Sequence, residues 1–302
     1  EFYHVMLALI ETHGWKHIDT MELWNAPGTL EDRLLRKFGE LPETILFWEG
    51  YFFFDRYIRE IRRLDAYRCI FADDIHRRDQ GTRMSMQMAY LTCDTVFATS
   101  ANVFDEHYPG VRNVTHVVWT PHAASPDFHI KFNRKAENAI LLSGAVNKHY
   151  PLRQQLKALF DRGAYPIAYR PHPGYHCGYD YKRDESVGRE YARTINRYRV
   201  GFTDCLKYKY LVAKYFEIPA TGALLLAESK VGGAFERLGF VEDEHYISVS
   251  PDDLEEKIRF VLDEGNHKQL DRIRRRAQKL VRERHQTSDR ARLIDEVCRR
   301  QP

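Results

Sequence analysis

The sequence predicts an α/β protein built as two Rossmann-like domains that face each other across a cleft. Three observations predict it. Short apolar runs of strand length alternate with helical patterns, which argues for parallel sheets covered by helices on both faces. The alternation stops in a polar stretch, Ser125 to Lys135, that contains Pro126 and has no periodicity, and then it restarts. The length of 302 residues suits two domains of ordinary size.

In the first half, Glu1 to Ile10 reads as a helix and Thr44 to Glu49 as a buried strand. Asp55 to Leu64 reads as a helix with a basic outer face, and Cys69 to Asp74 as a strand ending in two acids. A Met-rich helix over Thr82 to Leu91 follows, then strands at Thr95–Thr99 and Val114–Trp119. Met84, Met86 and Met88 suit helix packing better than a cofactor box. In the second half, Ala139 to Gly144 is a strand entering a glycine turn, and Leu152 to Phe160 is a helix. Ile167–Arg170, Val200–Thr203 and Ala223–Ala227 read as strands, and Leu206 to Phe216 as a helix. Helices at Asp252–Leu262 and Lys268–Arg284 close the pattern, the second with an Arg-rich face read as solvated surface. The expected division is 1–130 for one domain, 136–280 for the other, and 281–302 for a closing helix that packs back on the first.

Composition bounds the function classes. Apolar content of 43% and charged content of 29% describe an ordinary folded protein rather than a disordered one. A formal charge of +3 does not call for nucleic acid. The five cysteines are scattered with no CxxC, so neither a zinc ribbon nor a disulfide framework is indicated. That pattern suits a reducing, cytoplasmic compartment. There is no apolar run of membrane-spanning length, and no signal peptide is expected. A nucleotide-binding-type domain opens with a strand, whereas this chain opens in a helical pattern. The expectation is that a strand is missing and that the chain is one piece of a larger multidomain polypeptide.

The segment from Lys207 to Ala227 carries the most chemistry: a basic helix, an acid, a Pro and Gly turn, then a buried strand. A helix start supplies free N–H groups and a positive dipole end. Lys207 and Tyr208 sit at the expected start, as a diphosphate requires. Glu217, at the turn, has the two acceptor oxygens that a ribose diol needs. The plain alternative is surface lysines and a helix-end carboxylate.

The run Phe216-Glu217-Ile218-Pro219-Ala220-Thr221-Gly222-Ala223-Leu224-Leu225-Leu226-Ala227 resembles the donor-binding signature of GT-B glycosyltransferases. It is closest to the "glycosyl transferases group 1" proteins of CgeB-like type. The similarity extends to Gly232–Phe240, to the closing helices with His285, and upstream to Ser143–Arg153. In the first half, Asp73-Asp74-Ile75-His76 and Trp119-Thr120-Pro121-His122 are the similar pieces. The resemblance implies a metal-independent enzyme with no cofactor. It moves a sugar from a nucleoside-diphosphate sugar, the co-substrate, to a hydroxyl of a glycan or other acceptor. It also implies that Glu217 binds the donor ribose. One departure stands out. Retaining GT-B enzymes often carry a second acid eight residues before the ribose-binding one, and that position here is Lys209.

Other candidates follow from chemistry. Lys148 and Arg153, after a strand and the Gly144 turn, could neutralise a diphosphate leaving group. With Gly144 itself they join Glu217, Lys207 and Tyr208 as donor-binding candidates. His172, where a strand runs into Pro171-His172-Pro173-Gly174, could bond the diphosphate or the sugar. Adding His176 and Cys177 gives a cluster that fits no standard zinc pattern, so no metal is expected. On the acceptor side, Asp73, Asp74 and His76 after a buried strand, and Glu49 at the end of another, are candidates for a general base. Helix capping for Asp74 and a loop role for His76 are the plain alternatives. Two rivals use the same scaffold: a polyol-phosphate transferase of the teichoic-acid type, and a non-catalytic glycan- or nucleotide-binding module.

Overall fold

A computed structural model describes residues 1–300 except 77–78, 175–177, 181–182, 229–230 and 232. The chain divides into two compact units. The N-proximal unit comprises Val5–Pro121 and Arg290–Pro302, and the C-proximal unit Glu1–His4 and His122–Asp289.

The N-proximal unit begins with three helices, α1 (Phe2–His13), α2 (Thr20–Asn25) and α3 (Leu30–Phe38). The sequence dictates both ends of α3. Thr29 and Asp32 form a reciprocal capping box, and Gly39, in the left-handed region at φ 80°, ends the helix. A parallel sheet follows, β1 (Thr44–Trp48), β2 (Tyr67–Ala72), β3 (Thr95–Ala98) and β4 (His116–Trp119), in the order β1-β2-β3-β4. The connections carry α4 (Tyr51–Ile61), α5 (Gln80–Tyr90) and the short α6 (Phe104–His107). β3 is buried along its whole length, as both faces of a parallel sheet should be. β1 is half-buried throughout and stands at the sheet edge.

The C-proximal unit holds β5 (Glu137–Gly144), α7 (Pro151–Asp161), β6 (Ile167–Pro171), α8 (Gly188–Arg197), β7 (Tyr198–Thr203), α9 (Lys214–Ala220) and β8 (Leu224–Ala227). The short α10 (Ala234–Arg237), β9 (Ile247–Ser248), α11 (Leu254–Leu262) and α12 (His267–Arg284) complete it. The last helix, α13 (Thr287–Arg299), begins in this unit and ends in the other. The five parallel strands run β6-β5-β7-β8-β9. Ile140, Leu142, Phe202 and Leu226 of the sheet pack against Leu156 of α7 and Ile258 of α11 in one core.

The structure corrects three expectations. The helix expected over Leu206–Phe216 starts only at Lys214. Leu206 (φ 54°) and Lys209 (φ 59°) adopt left-handed backbone that a helix cannot contain. The Arg-rich face of α12 is not all solvated: Arg274 is fully buried and Gln278 is buried. The stretch Ser125–Lys135, expected to separate the two halves, belongs wholly to the C-proximal unit. Ala124 bridges to Gln286, and the Ile130 and Asn133 carbonyls accept hydrogen bonds from α12. Among the described residues, no helix is long and apolar enough to cross a membrane.

Candidate functional site

The strand order of the C-proximal unit reverses at β5, whose neighbours are β6 on one side and β7 on the other. Open α/β sheets bind ligands beyond the carboxyl ends of the strands at such a switch point. Here those ends are Ser143-Gly144 on β5 and Thr203-Asp204 on β7.

Gly144 has φ 97°, where a side chain is strained. A Cβ there would lie 3.2 Å from Lys214 Cε, and 3.4 Å from both Lys214 Nζ and Arg153 Nη1. Two cations therefore converge on one bare stretch of backbone. Lys214 is the first residue of α9, and its Nζ lies 5.2 Å from the centre of the Tyr191 ring. The Tyr191 hydroxyl shares a 2.8 Å hydrogen bond with that of Ser143. Burial works against the Lys214 ammonium, but Tyr191 and Glu217 outweigh it and hold its pKa above the usual lysine value. Glu217 lies one turn along α9. Burial pushes its carboxyl up, Lys214 opposes that shift, and Glu1 adds to it.

A cavity of about 250 Å³ opens beside this cluster, lined by Ser143, Gly144, His172, Tyr179, Tyr191 and Lys214 among others. His172 is exposed just past β6, and its Nδ1 accepts from the Gly174 N–H at 2.9 Å. Burial, Lys214 and Arg153 hold its pKa below the usual imidazole value. Lys214 and Arg153 thus put positive charge on one wall of the cavity, and Glu185, paired with Arg170 and Arg197, stands on another.

Arg153 is more committed than its sequence position suggests. It is buried on α7, with Nε 2.9 Å from Asp204 Oδ1. Its Nη2 donates to Thr203 Oγ1 at 3.1 Å and its Nη1 to the Ala145 carbonyl at 3.3 Å. The pair ties the start of α7 to the end of β7. It leaves Nη1 as the part of Arg153 beside Gly144. Lys207 and Tyr208 lie in the loop before α9, not at a helix start. Tyr208 stacks on His149 at 5.7 Å, and the Lys207 N–H donates to the His149 carbonyl at 3.0 Å. That loop is therefore pinned to the loop of the exposed Lys148, after β5. Lys209 is exposed in the same loop. His176, Cys177 and Gly232 lie outside the described residues. Among the described residues, no group of three His, Cys, Asp or Glu could hold a metal ion.

In the N-proximal unit, the four general-base candidates gather at the carboxyl ends of β1 and β2. Glu49 follows β1 at φ 56°, its N–H donating to the Phe71 carbonyl at 3.0 Å. Asp73 accepts from Thr99 Oγ1 at 3.0 Å. Asp74 is exposed, with Oδ1 3.8 Å from His76 Nδ1.

Sequence reasoning passed over Lys214, Tyr191, Ser143 and Asp204. Lys214 had a signal: it stands three residues before Glu217, one helical turn away on the same face. Tyr191 and Ser143 had none, because only the fold brings the 143, 191 and 214 positions together.

Residues 149–296 match the family model described as "Glycosyl transferase-like". No curated protein matches the chain by sequence. Solved structures match by fold. Sucrose-phosphate synthase from Thermosynechococcus elongatus is 12% identical with a TM-score of 0.58, over 94% of this chain and 80% of that one. Anabaena HepE, solved in complex with UDP-glucose, is 12% identical with a TM-score of 0.59, over 89% of this chain and 81% of that one. A glycosyltransferase from Rickettsia africae is 10% identical with a TM-score of 0.58, over 97% of this chain and 87% of that one. These likenesses identify the fold, two parallel-sheet α/β units of GT-B type. The chain is thus a GT-B-fold protein whose residues 149–296 match the glycosyl transferase-like family model.

Proposed function

We propose that the chain transfers a sugar from a nucleoside-diphosphate sugar to an acceptor hydroxyl, with the C-proximal unit binding the donor. The observation that carries this is the convergence of Lys214 and Arg153 on Gly144 at the β5/β7 switch point, with Glu217 one turn along α9. In glycosyl transfer the bond from the anomeric carbon to the diphosphate breaks, and a bond to the acceptor oxygen forms. Negative charge grows on the departing diphosphate, and fixed cations act best where charge develops. Lys214 and Arg153 Nη1 supply that charge, so no metal is required. Lys148, Lys207 and His172 follow the ends of β5, β7 and β6 and are further candidates for that charge. Glu217 accepts from the ribose diol. The acceptor proton goes to Asp74, His76, Asp73 or Glu49, or to the leaving phosphate.

UDP is the first nucleotide to try, because HepE, of the same fold, was solved with UDP-glucose. A second reading, donor binding without turnover, is favoured by Lys209, which stands where retaining enzymes often carry an acid. A thermal-shift panel of UDP, GDP, CMP and dTDP with their sugars tests the proposal. A ligand at a hundred times its Kd stabilises by about 2.7 kcal/mol. A shift with one nucleotide family supports donor binding, and release of that nucleotide in the presence of acceptor separates turnover from binding. No shift with any of them overturns the reading.

A further inference from the structure

The helix that carries Lys214 and Glu217 cannot hold itself in place. α9 has seven residues, and Pro219 inside it lacks the N–H that a helix uses. Isolated helices of that length are unstable in water. Thr221 and Gly222 cap the carbonyls of Glu217, Ile218 and Pro219, which leaves those of Ala220, Thr221 and Gly222 to bond outside the helix. Besides the packing of its buried residues Tyr215, Phe216, Ile218 and Ala220, those outside partners help to fix where Lys214 and Glu217 stand.

The Thr221 carbonyl accepts from Asn196 Nδ2 of α8, which also donates to the Lys131 carbonyl, and those of Ala220 and Gly222 bond to a stripe on α12. Arg274, Gln278 and Arg282 follow one another at intervals of one helical turn. Each donates to two carbonyls, one at the end of α9 and one in the stretch Ile130–Asn133. Arg274 Nε donates to the Gly222 carbonyl at 2.8 Å, and its Nη2 to the Asn133 carbonyl at 3.0 Å. Gln278 Nε2 reaches the Ala220 and Ile130 carbonyls, both at 3.2 Å. Arg282 Nη2 donates to the Ile130 carbonyl at 2.5 Å and to the Ala220 carbonyl at 3.3 Å. Phe132 closes the gap between the two segments, with the Arg274 and Arg275 guanidinium carbons 4.5 and 3.9 Å from its ring centre. A Cβ at Gly222 would lie 2.9 Å from Gln278 Nε2 and 3.0 Å from Phe132, so this position has no room for a side chain. α12 itself is anchored in the core by Leu270, Ile273, Ala277 and Val281.

We propose that Arg274, Gln278 and Arg282 are positioning residues that lock residues 130–133 and α9 into one body. Anything that loosens the 130–133 stretch then shifts Lys214 and Glu217, and donor bound at α9 stiffens that stretch in return. A stripe that only capped α9 would have no need of a second carbonyl for each side chain. The coupling is independent of ligand identity. Only its donor arm rests on the function proposed above.

Hydrogen exchange read by mass spectrometry tests it on the full chain. Arg282→Ala should speed exchange at residues 126–134 and 213–222 together, by about tenfold, and leave β5 and β7 unchanged. Arg282→Lys should restore part of the protection at both segments. Arg272→Ala, on the exposed side of α12, should change neither. If Arg282→Ala fails to fold, Gln278→Met removes one two-carbonyl donor at similar volume and should give the same paired change. Faster exchange in one segment without the other, or in neither, overturns the coupling. In the donor arm, UDP should slow both segments of the wild type, and Arg282→Ala should weaken UDP about fivefold by lowering the competent fraction. Protection of α9 alone by UDP contradicts the proposal. If the wild type binds none of UDP, GDP, CMP and dTDP, the donor reading fails, and the paired exchange of the unliganded variants still decides the coupling; if it binds another of them than UDP, that nucleotide serves in the donor arm.

Discussion

A single methyl group placed under α9 should disturb both stability and donor binding. Gly201 lies in β7 where α9 crosses it, and a Cβ there would stand 2.7 Å from Ile218 Cγ2, 3.0 Å from Cγ1 and 3.2 Å from Cδ1. Carbon atoms rest about 3.5–4.0 Å apart, so Gly201→Ala must push Ile218 outward by about 1 Å. Ile218 is buried beside Glu217 and cannot simply swing into solvent. Overpacking of this kind costs roughly 1–3 kcal/mol. For a chain of this size that is a fall in Tm on the order of 2–10 °C. Because the load falls on α9, Lys214 and Glu217 move with it, and a misplacement of about 1 Å is worth up to ~100-fold in rate. Differential scanning fluorimetry and UDP titration of Gly201→Ala, Ile218→Ala and the double variant give the coupling. The three Ile218 atoms in the clash are all removed by Ile218→Ala, so the double variant should be more stable than the sum of the single losses allows. Additive losses, or no loss in Gly201→Ala, would refute the reasoning.

Other outcomes follow from the same geometry. Asp204→Ala leaves the buried Arg153 without its partner, a loss of about 3–5 kcal/mol that should lower Tm without any ligand present; an unchanged Tm would mean the pair is not structural. His172 sits below the ordinary imidazole pKa because burial, Lys214 and Arg153 disfavour its charged form. A bound diphosphate neutralises those cations and raises the His172 pKa, so binding takes up a proton. UDP-glucose affinity, measured by calorimetry, should therefore rise as pH falls towards about 6, and His172→Phe should flatten that slope. EDTA should leave transfer activity intact, and a strict need for Mn²⁺ or Mg²⁺ in the activity assay would contradict the role given to Lys214 and Arg153.

The sheets were readable because parallel strands are buried on both faces and so appear as short apolar runs. Thr95–Ala98 and Leu224–Ala227 are such runs, and both are fully buried. The start of α9 was not readable. Leu206, Tyr210, Leu211 and Tyr215 are all buried, at spacings that a helix would also give, and only the left-handed turns at Leu206 and Lys209 break the pattern. The Arg-rich face of α12 misled for a different reason. Its partners are backbone carbonyls of Ile130, Asn133, Ala220 and Gly222, and a carbonyl leaves no mark in the sequence. Glu217 stands out by the resemblance and by the Pro and Gly that follow it, although the structure puts it inside α9 rather than at a turn. Lys214 does not stand out because Lys207 offers the same charge at the expected helix start, and only the fold brings Lys214 to Gly144.

The central claim is that Lys214 and Glu217 hold a nucleoside diphosphate at the β5/β7 switch point. Calorimetric titration of the nucleotide that the thermal-shift panel selects, into wild type, Lys214→Met and Glu217→Gln, tests it most directly. Removing a charged partner from a bound ligand costs about 1.5–3 kcal/mol, so each variant should bind roughly 10- to 150-fold more weakly while keeping its fold by circular dichroism. Lys214→Met should lose most of its affinity for the diphosphate, and Glu217→Gln should lose its preference for ribose over deoxyribose nucleotides. Wild-type affinity in both folded variants would contradict the account.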